Sequence, residues 1–372
     1  MRRRDFLTGT AAGAALLAGC NEGTGTATET GTGTPTPDPS YTVSMAPVGE
    51  VTLDAVPESV AHYFPDYADM AVALGHGAAT NSVGVPSRYH TDHYAELDGV
   101  SVDKSSMTTL VGDNGIDSEV FLELDSDLHM IDPRWLTNNG FFGLEESDID
   151  QLAETVAPFL GNTVFRRTDG WHDYRYYDMY GAFERVAQVF REEETYAELK
   201  SFHDDYIAGV EADLPAADAR PNALLCFAAG DEPEAFYPYR LTDKGTNKKQ
   251  FRDLGISDVL ADTGISGLST TERGQIDYET MLEVDPDSIL LRGHETKGRG
   301  EFEDTVLAFM KDHDTASQLT AVQNDMVFRG GPIYSGPLHH LFLVERYATA
   351  YFPETFEGEL FDRDELAGIV TG

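Results

Sequence analysis

The sequence predicts an α/β protein of two Rossmann-like lobes joined by a long α-helix, with a ligand cleft between the lobes. A duplicated motif is the first reason. Ile116-Asp117-Ser118-Glu119-Val120-Phe121-Leu122-Glu123-Leu124-Asp125-Ser126-Asp127 returns 160 positions later as Ile276-Asp277-Tyr278-Glu279-Thr280-Met281-Leu282-Glu283-Val284-Asp285-Pro286-Asp287, with I-D-x-E-x-x-L-E-x-D-x-D in both copies. An apolar run follows each copy, at 128–131 and 288–291, so each reads as a short helix that ends before a buried strand. Asp117 or Asp277 would cap the helix. Two copies are too few for a solenoid and suit two similar lobes. The second reason is that strand-like and helical stretches alternate on both sides of the middle of the chain. The third is that the middle, 145–212, reads as mainly helical; its last helix is long enough to cross roughly 30 Å from lobe to lobe.

Taken in order, residues 1–20 are an address. Basic residues precede a short apolar stretch, and Arg3-Arg4-Asp5-Phe6-Leu7 resembles the twin-arginine export pattern. Leu17-Ala18-Gly19-Cys20 resembles a lipobox, which implies cleavage before Cys20 and lipidation of its thiol. Residues 21–40, rich in Thr, Gly and Pro, read as a tether. No later segment is apolar for long enough to cross a membrane. The expected location is therefore the outer face of the cell membrane, with membrane contact only through the lipidated N-terminus.

Residues 41–190 form the N-terminal lobe with its following helices. Strands are expected at 59–64, 81–85 and 108–112, an amphipathic helix at 67–75, and helices at 145–160 and 174–190. Residues 191–215 form the linking helix, stopped by Pro215. Residues 216–372 form the C-terminal lobe, with strands at 223–227, 289–291 and 327–328, a helix at 251–260 and an apolar helix at 338–351.

Composition narrows the function. Lys+Arg of 26 against Asp+Glu of 65 gives a net charge of −39, which excludes nucleic acid and an anionic membrane surface as partners. Hydrophobic residues at 41% supply cores, so the charge does not signal disorder. An acidic, lysine-poor surface over an ordinary core is similar to that of proteins from salt-loving archaea. Of the two cysteines, Cys20 belongs to the lipobox and Cys226 lies in an apolar run, so no disulfide is expected in the mature chain.

The order of features carries a resemblance: leader and lipobox, tether, Pro57-Glu58-Ser59-Val60, Ala73-Leu74-Gly75 before Ser82-Val83-Gly84-Val85, the first motif copy, a linking helix, and a second lobe built alike. Over residues 50–355 this resembles the substrate-binding proteins of ABC importers for ferric siderophores and vitamin B12, of the helical-backbone class III type. One departure is Ser126, where that family has proline; the second copy keeps Pro286. The resemblance implies a monomeric receptor without enzymatic activity or cofactor, working with an ABC permease and its ATPase. It also implies that Glu119 and Glu279 dock to permease arginines. Two identical acidic sites on two lobes can register a two-fold partner; solvated surface acids are the alternative.

In doubly wound lobes, ligands sit beyond the carboxyl ends of the strands. The segments there hold Tyr63, Arg88 with Tyr89, Arg134 with Trp135, Tyr237 and Arg240, Arg292, Arg329 and Tyr334, and Trp171 lies near the lobe junction. Arginine offers planar, permanently charged donors, and Tyr and Trp offer stacking area with a polar tip. The set suits an anionic, partly aromatic ligand such as a ferric catecholate or carboxylate complex. Vitamin B12, haem and an oxyanion such as molybdate stay open as alternatives. His90-Thr91-Asp92-His93 and His339-His340 could ligate a metal, but match no metal-binding spacing. An exported metal-dependent hydrolase using His90, His93 and nearby acids is the rival from another class.

Overall fold

The computed structural model describes residues 40–261, 263 and 274–372. Cys20, Arg3 and Arg4 lie outside the described residues. The described chain opens on an antiparallel hairpin that the sequence reading did not separate, β1 (Tyr41–Met45) and β2 (Gly49–Leu53). Val43, Met45, Val51 and Leu53 alternate inward, the period-two pattern of a half-buried ribbon.

The N-terminal lobe follows: β3 (Val60–His62), α1 (Pro65–Ala73), β4 (Thr80–Val83), β5 (Thr108–Thr109), α2 (Glu119–Leu124), β6 (Leu128–Met130), α3 (Pro133–Asn138) and α4 (Glu146–Thr155). Its strands form one parallel sheet in the order β5-β4-β3-β6. Two helices lead away, α5 (Met179–Phe190) and the 21-residue α6 (Glu193–Asp213). The C-terminal lobe holds β7 (Asn222–Phe227), β8 (Tyr237–Tyr239), α7 (Lys249–Asp253), β9 (Ser257–Asp258), α8 (Tyr278–Val284) and β10 (Ser288–Arg292). It continues with α9 (Arg299–Phe302), α10 (Ala308–Asp312), α11 (Thr320–Gln323), β11 (Val327–Arg329), α12 (Pro337–Tyr351) and α13 (Arg363–Thr371). The second sheet runs β11-β10-β7-β8, parallel except for the β7–β8 pair, with β9 beside the start of β7. The fold is thus α/β with two parallel-based sheets, and the long α6 lies between them in chain order.

The duplicated motif is built the same way in both lobes. Asp277 accepts the Thr280 N–H (2.9 Å) and caps α8. Asp117 accepts the Glu119 N–H (3.0 Å) but stands one residue outside the N-cap of α2, Ser118, whose side chain makes no capping bond, so the expected cap forms only in the second copy. Each helix then stops on an aspartate in the left-handed region, Asp125 at φ 45° and Asp285 at φ 40°. The last aspartate ties the turn to the neighbouring strand: Asp127 accepts from Glu58 N and Ser59 N (both 2.9 Å), and Asp287 from Asn222 N (3.0 Å). The repeat therefore encodes helix, stop and strand docking, all from short acceptor side chains.

Three expectations are corrected. The 67–75 stretch is not amphipathic in place, because every residue of α1 is buried against the N-terminal sheet, α5 and α12. Its acid Asp69 instead accepts Leu338 N (2.9 Å) and His339 N (3.3 Å), capping α12 of the other lobe. The helix expected at 251–260 ends at Asp253, since Gly255 turns the chain at φ 63° into β9. The helix expected at 145–160 likewise stops at Thr155, ahead of Pro158.

The lobes meet closely. Thr246 N–H donates to the Val164 carbonyl (3.2 Å), and the Thr246 hydroxyl to buried Asp66. Gly245 has φ 144°, and a Cβ there would collide with the Phe165 carbonyl oxygen. The described residues accordingly fall in one compact unit.

Candidate ligand-binding site

The carboxyl ends of the two sheets face a cavity of about 350 Å³. From the N-terminal lobe, Tyr63 follows β3, Arg88 follows β4 and Trp135 stands on α3; Phe142, Phe165 and Arg166 come from later loops. From the C-terminal lobe, Arg292 ends β10, Tyr239 ends β8, and Asn247, Lys248 and Tyr334 complete the wall.

Aromatic rings make the floor. Trp135 packs on Tyr63 (5.8 Å), Phe142 (6.0 Å) and Phe165 (5.4 Å), and Phe165 meets Tyr334 from the other lobe at 4.9 Å. Burial pushes the Tyr63 and Tyr334 hydroxyls up from their ordinary pKa, so both stay neutral donors.

The charged lining has one sign. Arg88, Arg166, Lys248 and Arg292 line the cavity, and no carboxylate does among the described residues. Arg166 is held by two 2.7 Å bonds to Asp169 and lies over the Trp135 ring at 5.1 Å. Arg292, 1% exposed, donates to the Asn247 carbonyl (2.6 Å) and the Gly330 carbonyl (3.3 Å). Its guanidinium sits over Tyr239 at 5.2 Å. Lys248, also 1% exposed, donates to the Arg240 carbonyl at 3.0 Å and lies 3.6 Å from Asp243. Burial pushes its ammonium down to about pKa 7, against the opposing pull of Asp243. The Asn247 side chain donates to the Ile333 carbonyl, and its buried Oδ1 has no partner among the described residues. The cavity thus offers four cations, neutral hydroxyls, one acceptor and stacking faces.

Of the residues singled out in the sequence, the structure brings Tyr63, Arg88, Trp135, Arg292 and Tyr334 to this cavity. Trp171 stands behind it, 6.3 Å from Trp135, and Arg240 contributes through its carbonyl under Lys248. Tyr89 is turned into the core, its hydroxyl 3.1 Å from that of Tyr94. Arg134 is half-buried at the start of α3, outside the lining, and Tyr237 pairs with Phe227 in the sheet. Arg329 donates to the Lys297 carbonyl and faces a second cavity of about 410 Å³, with His90, His93 and His339. There His93 stacks on His339 at 4.3 Å, and among the described residues neither His90 nor His93 belongs to a group at metal-ligand spacing.

Sequence reasoning passed over Phe142, Phe165, Arg166, Asn247 and Lys248. The Phe141-Phe142 and Phe165-Arg166 pairs were visible signals, aromatic and basic residues placed in loops of a strongly acidic chain. Lys248 gave no signal in the sequence, because it reaches the cavity from a turn before α7 rather than from a strand end.

Comparison with known proteins meets this geometry directly. The periplasmic binding protein family matches residues 60–334, from the first residue of β3 to the last aromatic of the cavity wall. The chain belongs to that family. It is accordingly a binding component of transport, not an enzyme. No curated protein matches the sequence significantly. Among solved structures it is similar to PiuA, an iron uptake ABC transporter substrate-binding protein from Streptococcus pneumoniae, at 16% identity and TM-score 0.59, covering 84% of this chain and 99% of the other. The petrobactin-binding protein YclQ from Bacillus subtilis aligns at 16% identity and TM-score 0.56, over 87% and 100% of the two chains. An ABC-type Fe3+-hydroxamate transport protein from Saccharomonospora viridis aligns at 20% identity and TM-score 0.53, over 84% and 99%. At these identities the likeness establishes the shared fold.

Proposed function

We propose that this periplasmic binding protein is a salt-adapted extracytoplasmic lipoprotein that captures an anionic iron(III)–siderophore-type complex and delivers it to an ABC permease. The observation that carries the reading is the cavity between the lobes: four cations and no lining carboxylate, in a chain of net charge −39. An anion gains from those cations in a partly dry site, where charge-assisted bonds are strong. The aromatic floor suits catecholate or other planar groups. A volume of about 350 Å³ lies at the low end for small-molecule sites, which counts against the much larger vitamin B12. Iron uptake, petrobactin binding and Fe3+-hydroxamate transport in the similar proteins point to the same class.

Delivery would run through Glu119 and Glu279, both exposed in the first turns of the duplicated helices α2 and α8. Closure on the ligand is small, because α6 links the lobes and Asp66, Asp69 and Thr246 bond across them. The test is tryptophan fluorescence in high salt with an iron(III) catecholate, an iron(III) hydroxamate, haem, vitamin B12 and molybdate. Trp135 lines the cavity and Trp171 packs on it, so both report. Saturable quenching by an iron(III) complex at micromolar or lower concentration is expected. Quenching by vitamin B12 or molybdate alone, or by none of the five, refutes the assignment.

A further inference from the structure

Away from the cavity, α6, α7 and α12 converge on a polar knot. His203 of α6, Asp253 of α7 and His340 of α12 each present a ligand-type atom, a ring nitrogen or a carboxylate oxygen, and these lie within 4.8 Å of one another. The His340 Nε2 is 2.8 Å from Asp253 Oδ2. The fourth member is Lys249, whose ammonium lies 2.7 Å from Asp253 Oδ2 and 3.2 Å from His203 Nε2. A cation therefore already bridges two of the three ligand-type residues, His203 and Asp253.

We infer that this knot is a site for a divalent transition ion of the zinc class, which replaces the Lys249 ammonium and clamps the linking helix to the C-terminal lobe. Two imidazoles and one carboxylate, with water in a fourth position, are a sufficient set for zinc. The surroundings supply what such a site needs. Asp204 lies 3.0 Å from His203 Nδ1 and accepts its proton, which leaves the Nε2 lone pair aimed at the centre. In the metal-free chain His340 Nε2 carries the proton and donates it to Asp253 (2.8 Å), and an ion that takes Nε2 moves that proton to Nδ1, which has no partner among the described residues.

A route in exists as well. A cavity of about 490 Å³ is lined by Lys249, Asp253, Tyr176, Tyr180, Arg252 and Asp178. It admits the ion, gives the four-carbon stem of Lys249 room to swing, and offers the displaced ammonium the Asp178 carboxylate.

The experiment is a cobalt(II) titration of the metal-stripped full chain, in high salt with excess magnesium to saturate surface acids, followed by zinc displacement. One cobalt per chain with the intense visible bands of four-coordination, lost in His203→Ala and in His340→Ala, is expected. Because Lys249 competes for the position, Lys249→Leu should bind at least tenfold more tightly, and this variant leaves every ligand in place. Absence of stoichiometric binding by the wild type overturns the proposal, even if Lys249→Leu binds. Bands that survive both histidine substitutions, or weaker binding by Lys249→Leu, overturn it equally. Circular dichroism of each variant separates loss of the site from loss of the fold.

Discussion

Lys248 makes the ligand site sensitive to pH near neutrality, and the size of the effect follows from its placement. The ammonium lines the cavity at 1% exposure, and burial has lowered it to about pKa 7. An anion seated about 6 Å away at an effective dielectric of ~20 gains roughly 2.8 kcal/mol from the charged lysine, about 100-fold in affinity. By linkage the bound ligand raises the lysine by about two units, to roughly pKa 9. The sign follows. Below pH 7 the lysine is charged in both free and bound protein, and affinity is full. Between about pH 7 and 9 the free protein must take up a proton to bind, and affinity falls about tenfold per unit. Above roughly pH 9 it levels off. The assay is fluorescence titration at pH 6, 7, 8 and 9 with a hexadentate iron(III) catecholate whose charge is fixed over that range. Lys248→Met should bind at the weak, high-pH level throughout and show no slope. A flat wild-type profile, or a slope that persists in Lys248→Met, refutes the reasoning.

Three further outcomes are expected. Gly245→Ala forces a Cβ against the Phe165 carbonyl at a backbone angle that disfavours side chains; it should cost about 2 kcal/mol or more in urea unfolding, whereas Gly140→Ala, with open space around it, should be near neutral. Glu119→Ala combined with Glu279→Ala should abolish uptake by cells while changing affinity for the iron complex less than twofold; weakened affinity would put these residues in the cleft instead. Cys20→Ser should move the protein from the membrane fraction into the medium, and continued retention would count against a lipid anchor.

Which parts were legible in the sequence follows from where the physics is local. The duplicated motif announced two lobes because its caps and stops act within a few residues; the strand ties of Asp127 and Asp287 reach residues 65 to 69 positions away and were not readable. Tyr63, Arg292 and Tyr334 were readable as cleft residues because each stands at or just after a strand end. Phe165 and Lys248 were not, because their position depends on the inter-lobe contact between 164–166 and 245–246, which joins residues about eighty apart. The 67–75 stretch misled for the same reason: read alone it is an amphipathic helix, but in the fold Asp69, and Asp66 before it, are buried acceptors for the opposite lobe. Tyr89 and Arg329 had the right residue types at strand ends but turn to the core and to the second cavity. Strand-end position narrows the choice of face without fixing the side chain's direction.

The cleft's cations and the chain's net charge of −39 pull on an anionic ligand in opposite senses, and salt decides between them. The two act over different distances. The four cleft cations act at contact, and two of them are almost fully buried, so screening reaches them little. The acidic excess is spread over the whole molecule and acts over many ångströms. For a sphere of roughly 27 Å radius carrying that charge, raising ionic strength from 0.1 to 1 M lowers the repulsion by about 1 kcal/mol per ligand charge. Affinity for an anionic iron complex should therefore rise roughly fivefold per charge over that range. Ordinary binding of an anion to a cationic site weakens as salt is added, so the sign alone discriminates. Titrations at 0.1 and 1 M potassium chloride, with circular dichroism confirming that the protein is folded at both, settle the matter. An affinity that falls with salt would mean that the surface acids do not reach the ligand, and that the cleft cations are themselves exposed to screening.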